Sequence, residues 1–236
     1  MAGARFRAGP ALTALTLPAG PLTGPLTGLL GGSFNPAHGG HRRISLFARA
    51  ALGLDEVWWL VSPGNVLKPA AGMAPLAARL ASAQAMSRNA PIRATAIEQE
   101  LGTRFTVDTL RAIRRRFPRR RFVWIMGADN LAQFQRWKDW RGIAREMPIA
   151  VIARPGYDAA ALASPAMAWL RRWRQRPGQF VSGARRSAPA LTILRFDPDD
   201  RSASAIRAAD PEWASRIPVA RLRDAVTHRP IGRGKS

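Results

Sequence analysis

Short, uninterrupted apolar runs recur along this chain, and each stops at a turn-forming residue. Leu29-Leu30 ends in Gly31-Gly32, and Val57-Trp58-Trp59-Leu60-Val61 ends in Ser62-Pro63-Gly64-Asn65. Phe122-Val123-Trp124-Ile125-Met126 ends in Gly127-Ala128-Asp129, and Ile149-Ala150-Val151-Ile152-Ala153 ends in Arg154-Pro155-Gly156. Runs this short, with no polar alternation, suit strands buried on both faces. Helical stretches lie between them. One is expected from about Gly40 to Leu52, and a second starts with Pro75 at its N1 position ahead of Leu76, Leu80 and Ala83. A third over Thr106 to Phe117 carries Val107, Leu110, Ile113 and Phe117 at spacings of three and four. Ala159 to Trp173 reads as a further helix, Ile92 to Ile97 as a weak strand, and Leu191 to Phe196 as the last strand, followed by short helices. Strands alternating with helices predict an α/β fold: a Rossmann-like, doubly wound, mainly parallel sheet with a small helical C-terminal part from about residue 202.

At 236 residues, 47% of them hydrophobic and eight of them Trp, the chain has material for one packed core. We expect a single domain over residues 28–236. Residues 1–27 are rich in Pro, Gly, Thr and Ala, include the near-repeat Gly20-Pro21-Leu22-Thr23-Gly24-Pro25-Leu26-Thr27, and are expected to form a disordered extension. Arg5 and Arg7 ahead of Ala11 to Leu17 faintly resemble a secretory signal, but the apolar stretch is short and Pro18 interrupts it. No run is long enough to span a bilayer, and the chain has no cysteine, so disulfides and thiolate metal sites are excluded. The expected location is the cytoplasm. With 37 Lys+Arg against 15 Asp+Glu the net charge is +22, which favours anionic partners. The excess is Arg scattered over several segments rather than one basic tract. Nucleic acid is therefore not the expected partner, and nucleotide substrates fit the same field.

The segment Gly31-Gly32-Ser33-Phe34-Asn35-Pro36-Ala37-His38-Gly39-Gly40-His41 follows the first strand and opens a helix. There, free backbone N–H groups and a positive helix end meet a phosphate. Gly31 and Gly32 allow a sharp turn and close approach of phosphate oxygens to the backbone near Ser33 and Phe34. His38 and His41 are three apart, so a helix starting near Gly39 turns both imidazoles toward one pocket. The string is neither a Walker A loop nor Gly-x-Gly-x-x-Gly. A His pair at this spacing also suits a metal, but the third His lies near the C-terminus and there is no Cys to complete a set. No metal site built from protein side chains is expected. Ser202 reads as an N-cap, with Arg207 one turn further on.

The glycine turn resembles the signature of the nucleotidyltransferase superfamily marked by His-x-Gly-His. More narrowly, the chain from about residue 28 onward is similar to bacterial nicotinate-nucleotide adenylyltransferases. The likeness continues in Pro63-Gly64-Asn65-Val66-Leu67-Lys68-Pro69, Arg104-Phe105-Thr106-Val107-Asp108-Thr109-Leu110, Met126-Gly127-Ala128-Asp129-Asn130-Leu131 with Trp137, Ala153-Arg154-Pro155-Gly156, and Ser202-Ala203-Ser204-Ala205-Ile206-Arg207. In the last segment Ser204 stands where Thr is common, and the hydroxyl is kept. The resemblance implies adenylyl transfer from ATP, with Mg²⁺, to nicotinate mononucleotide, the alternative being another adenylyl- or cytidylyltransferase of the superfamily with nicotinamide mononucleotide or pantetheine phosphate as acceptor, and it leaves a homo-oligomer open. It implies that His38, His41 and Arg207 are catalytic. It places ATP phosphates on Gly31, Gly32, Ser33, Phe34, Gly127, Asp129, Ser202, Ser204 and Arg207. It places the mononucleotide on Asn65, Lys68, Thr106 and Trp137.

Overall fold

The computed structural model describes residues 24–64, 72–153, 158–181, 187–196 and 202–231. Strand β1 (Leu26–Gly32) is followed by helix α1 (Gly39–Leu52), β2 (Glu56–Val61), α2 (Leu76–Ser87), β3 (Ile92–Thr95), α3 (Ile97–Leu101) and α4 (Thr106–Arg116). Then come β4 (Arg121–Gly127), α5 (Ala128–Gln133), a 3₁₀ turn at Phe134–Arg136, α6 (Trp140–Glu146), β5 (Ile149–Ala153), α7 (Asp158–Leu162) and α8 (Pro165–Leu170). A second 3₁₀ turn (Arg171–Trp173), β6 (Arg174–Gln175), α9 (Pro177–Val181), β7 (Leu191–Arg195) and α10 (Ala203–Ala209) complete the order.

The seven strands form one sheet in the order β3-β2-β1-β4-β5-β7-β6, and every pairing is parallel. The expected doubly wound α/β architecture is present. Residues next to each other in a strand feed opposite faces. Trp58 joins a core with Ile97 of α3, Leu110 of α4, Ile143 of α6 and Leu170 of α8, while Trp59 joins one with Leu52 of α1, Leu80 of α2 and Phe180 of α9. Truncating either indole to Ala would cost about 3–5 kcal/mol, the range for a large buried aromatic.

The winding reverses between β1 and β4, which lie side by side with Leu29 opposite Trp124. At such a switch point the loops leaving neighbouring strands diverge to opposite faces and open a crevice at the carboxyl ends. Gly32 and Gly127, the last residues of β1 and β4, border it.

Five elements depart from the sequence reading, among them the strand expected over Ile92 to Ile97, which stops at Thr95 so that Ile97 opens α3. The first strand begins at Leu26, inside the segment read as an extension; residues 1–23 lie outside the described residues. Pro75 is the N-cap of α2 rather than N1. The helix expected over Ala159 to Trp173 is broken, because Ser164 caps a new helix by accepting from the Met167 amide and Pro165 removes the donor a continuous helix needs. Beyond α10 the described residues form turns, with an antiparallel bridge between Arg223 and Pro230, in place of the expected run of short helices.

Candidate active site

The glycine turn is organised by aromatic rings. A Cβ on Gly31 would lie 2.6 Å from Cη2 of Trp124, and one on Gly32 would lie 3.1 Å from the Phe34 ring. Both glycines therefore make room for side chains of the protein itself, a reason the sequence reading did not supply. Phe34 holds a left-handed backbone (φ 47°) that costs a non-glycine residue about 1–3 kcal/mol. Its ring is 2% exposed, stacked on Trp59 at 5.0 Å and tilted against His41 at 4.8 Å. Burial of that ring, about 2–3 kcal/mol, offsets the strain.

His38 is the N-cap of α1. Its Nδ1 accepts from the Gly40 amide at 3.2 Å, and Nδ1 of His41 accepts from the His38 amide at 3.2 Å, closing a reciprocal capping box. A ring nitrogen that accepts a hydrogen bond carries no proton. In the neutral rings the proton is thereby assigned to Nε2 of both histidines, making Nε2 the donor. The ring centroids are 3.9 Å apart, as the spacing of three predicts. Ser45 secures this helix start: its hydroxyl donates to the His41 carbonyl at 2.8 Å and accepts from the Trp59 indole at 2.7 Å.

The second segment meets this turn from the far end of the chain. Ser202 caps α10, its hydroxyl accepting from the Ala205 amide at 3.1 Å. Arg207 donates to the Asn35 carbonyl at 2.6 Å and to the Ser204 hydroxyl at 3.3 Å. Asn35 in turn donates through Nδ2 to the Gly72 carbonyl and accepts from the Ala74 amide. One asparagine thus joins the glycine turn, α10 and the approach to α2.

At the carboxyl end of β4, Gly127 is the N-cap of α5, so Asp129 lies inside the first turn and does not cap it. A Cβ on Gly127 would run into the Asp129 carboxylate, so the missing side chain lets this exposed acid fold back over the strand end. Thr106 opens α4, whose first amides have no intrahelical partners. Trp137 stands edge-on to Phe134 (5.4 Å) and Trp124 (6.4 Å), the same Trp124 that touches Gly31. Lys138 ties Trp137 to the start of α4: its ammonium sits 4.5 Å from the Phe105 ring and donates to Asp108 at 2.9 Å. The structure thus links the Thr106 and Trp137 segments to each other and to the glycine turn. Asn65, Lys68 and Arg154-Pro155-Gly156 lie outside the described residues.

The cytidylyltransferase-like family model matches residues 29–209, from β1 through α10. This chain belongs to the cytidylyltransferase-like family. Within it, the chain is 70% identical over 205 residues to a protein of Erythrobacter litoralis described as a probable nicotinate-nucleotide adenylyltransferase, covering 87% of this chain and 94% of that one. A protein of Gluconobacter oxydans with the same description is 51% identical over 180 residues, 76% of this chain and 92% of its own. Among solved structures, the Plasmodium falciparum nicotinic acid mononucleotide adenylyltransferase complexed with NaAD superposes with a TM-score of 0.56. It covers 78% of this chain and 83% of that one at 15% identity, a likeness of fold.

For this family member, sequence reasoning missed two residues that support the turn. Ser45 carried no signal beyond lying one turn after His41. Arg79 was one of many arginines, yet it is 1% exposed and donates to four backbone carbonyls around the strand ends. A basic residue on a helix normally reads as a solvated face. Its only visible sign was its place on the apolar stripe of Leu76, Leu80 and Ala83.

Proposed function

We propose that this chain transfers the adenylyl group of ATP to nicotinate mononucleotide, releasing pyrophosphate and forming deamido-NAD. The single observation that carries the reading furthest is the paired His38 and His41, each oriented by a backbone amide at Nδ1 so that Nε2–H is the donor, at the switch point of a sheet in this family. The 70% identity to a relative described as a nicotinate-nucleotide adenylyltransferase supports the choice of acceptor.

The 5′-phosphate of the mononucleotide is already an anionic nucleophile, so no side chain need attack. An oxygen of that phosphate forms a bond to the α-phosphorus of ATP while the bond to the β-bridging oxygen breaks in line with it, and pyrophosphate carries away the electron pair. What the protein supplies is alignment and donors for charge that grows on the α-phosphate and the leaving oxygen. His38, His41, Arg207 and the amides near Ser33 and Phe34 fill that role. Gly31, Gly32, Gly127, Asp129, Ser202 and Ser204 shape the ATP side. Trp137 offers an aromatic face and Thr106 the first amides of α4 to the pyridine and its carboxylate, with Asn65 and Lys68 on the mononucleotide side.

Magnesium enters as the complex with ATP. Among the described residues no group of three or more His, Cys, Asp or Glu could hold a metal alone. Asp129, at the carboxyl end of β4, would be the carboxylate that helps hold such a cation, which would supply screening of the phosphate charge. The enzyme's dissolved nucleotide substrates place the reaction in the cytoplasm, and, separately, no described helix is long and apolar enough to cross a membrane.

The test is pyrophosphate release from ATP, CTP and GTP with a panel of mononucleotide and pantetheine phosphate acceptors. The expected result is turnover with ATP and nicotinate mononucleotide. A clear preference for nicotinamide mononucleotide, for pantetheine phosphate or for CTP would overturn the assignment of acceptor or donor.

A further inference from the structure

The guanidinium of Arg79, on the first turn of α2, is buried beneath the loops that leave β1 and β2 (1% exposed). Its Nε donates to the Ala74 carbonyl at 2.8 Å. One terminal nitrogen donates to the carbonyls of Ser33 at 2.8 Å and Ser62 at 2.7 Å, and the other to Pro63 at 3.1 Å. These acceptors come from three separate stretches of chain: the glycine turn, the loop after β2, and the approach to α2. Every one is a neutral carbonyl, and among the described residues no carboxylate pairs with Arg79. Burial pushes its pKa down to about 10, so it stays cationic at neutral pH.

A trans peptide is planar, with C=O and N–H pointing in opposite directions. Two of the four carbonyls precede proline, at Ser62-Pro63 and Ala74-Pro75, and have no N–H behind them. The other two belong to Ser33-Phe34 and Pro63-Gly64. Drawing the Ser33 and Pro63 oxygens onto one guanidinium therefore turns the amides of Phe34 and Gly64 away from it. Among the described residues neither amide has a hydrogen-bond acceptor. One follows β1, on the ATP side of the proposed site, and the other follows β2, on the mononucleotide side.

We infer that Arg79 is a positioning residue for adenylyl transfer: its planar fork clamps the loops after β1 and β2 together and aims the Phe34 and Gly64 amides at the two phosphates that must meet. The role in catalysis rests on the reading of the protein as an adenylyltransferase. Arg is required because only its five donors in a rigid plane satisfy four carbonyls from three directions; a lysine keeps the charge and loses the geometry.

The experiment compares wild type, Arg79→Lys and Arg79→Met by thermal melting and by steady-state pyrophosphate release, with turnover expressed per folded enzyme. The clamp predicts that both variants lose at least tenfold in kcat, while KM for ATP changes less than threefold. Normal turnover in Arg79→Lys beside loss in Arg79→Met would show charge alone at work and overturn the clamp. A lowered melting temperature with unchanged kcat per folded enzyme would show a purely structural role and overturn it too. A second measurement needs no variant: amide NMR of the wild-type protein titrated with α,β-methylene ATP and then with nicotinate mononucleotide. The Phe34 amide is expected to shift with the first ligand and Gly64 with the second, and silence of both amides would overturn the inference. If wild type turns over no acceptor, the functional reading fails, while the amide shifts still decide whether the clamp aims donors at bound phosphates.

Discussion

The two segments that meet at Asn35 are built in opposite ways. The glycine turn and the start of α1 are held by short-range bonds within a buried setting: His38 and His41 cap the helix reciprocally, Phe34 fills the space above Gly32, and Ser45 and Trp59 brace the first turn. α10 is seven residues long with no buried side chain, and Arg207 to Asn35 is a bond spanning 172 positions. A helix that short does not hold itself together in water. Donors on the first segment are therefore preorganised, whereas the second depends on its long-range tether and on any phosphate it grips.

The largest effect that should separate the two belongs to the preorganised side. His41→Ala is expected to lower turnover by on the order of 10²-fold, the loss seen when a transition-state donor is removed, with the fold intact by circular dichroism. Near wild-type turnover in the purified variant would show that His41 supplies no donor to the reaction. Arg207→Ala removes both the tether and a charged donor, and should reduce kcat/KM for ATP roughly tenfold, in line with about 1.5 kcal/mol, the lower end for a hydrogen bond to a charged group. Unchanged ATP kinetics would mean that α10 is not a wall of the site. Ser202→Ala removes the hydroxyl that caps α10, about 1 kcal/mol, and should raise the ATP KM at least fivefold while leaving the global melting temperature in place. A drop in that temperature would show α10 to be part of the cooperative core.

The smallest effect on activity concerns burial itself. Glu98 on α3 is pushed up to about 7 by burial, against a hydrogen bond from Thr109 that pulls it down. Because its folded pKa lies above the ordinary value of 4.5, its favourable contribution is complete below about pH 4.5 and is lost as pH rises through 7. Glu98→Gln should therefore be more stable than wild type at pH 8, by on the order of 2 kcal/mol, and equal to it near pH 4.5. Parallel melting curves at both pH values would show that the carboxyl is not desolvated.

Much of this was legible in the chain. β2, β4 and β5 announce themselves because strands covered on both faces need unbroken apolar runs, and α1 because a glycine turn with two histidines precedes it. The break between α7 and α8 was also written, in Ser164-Pro165, but an alanine-rich stretch read through it. β6 was not legible: Arg174 and Gln175 are a two-residue polar strand beside β7, which leaves no apolar signature. Arg79 was hidden for a different reason, since a guanidinium satisfied by carbonyls looks in sequence like any solvated arginine.

Neighbouring residues were enough to fix the main strands and helices, the paired histidines at one helix start and the hydroxyl-and-arginine segment at another, because periodicity and spacing are local properties. Only the tertiary structure decided that the sheet reverses between β1 and β4, that Arg207 lands on Asn35, that Gly31 yields to Trp124 from the adjacent strand, and that Arg79 gathers carbonyls from three loops. Those outcomes depend on which buried surfaces and backbone dipoles meet across long stretches of chain, and that pairing is settled when the two cores close on either side of the sheet.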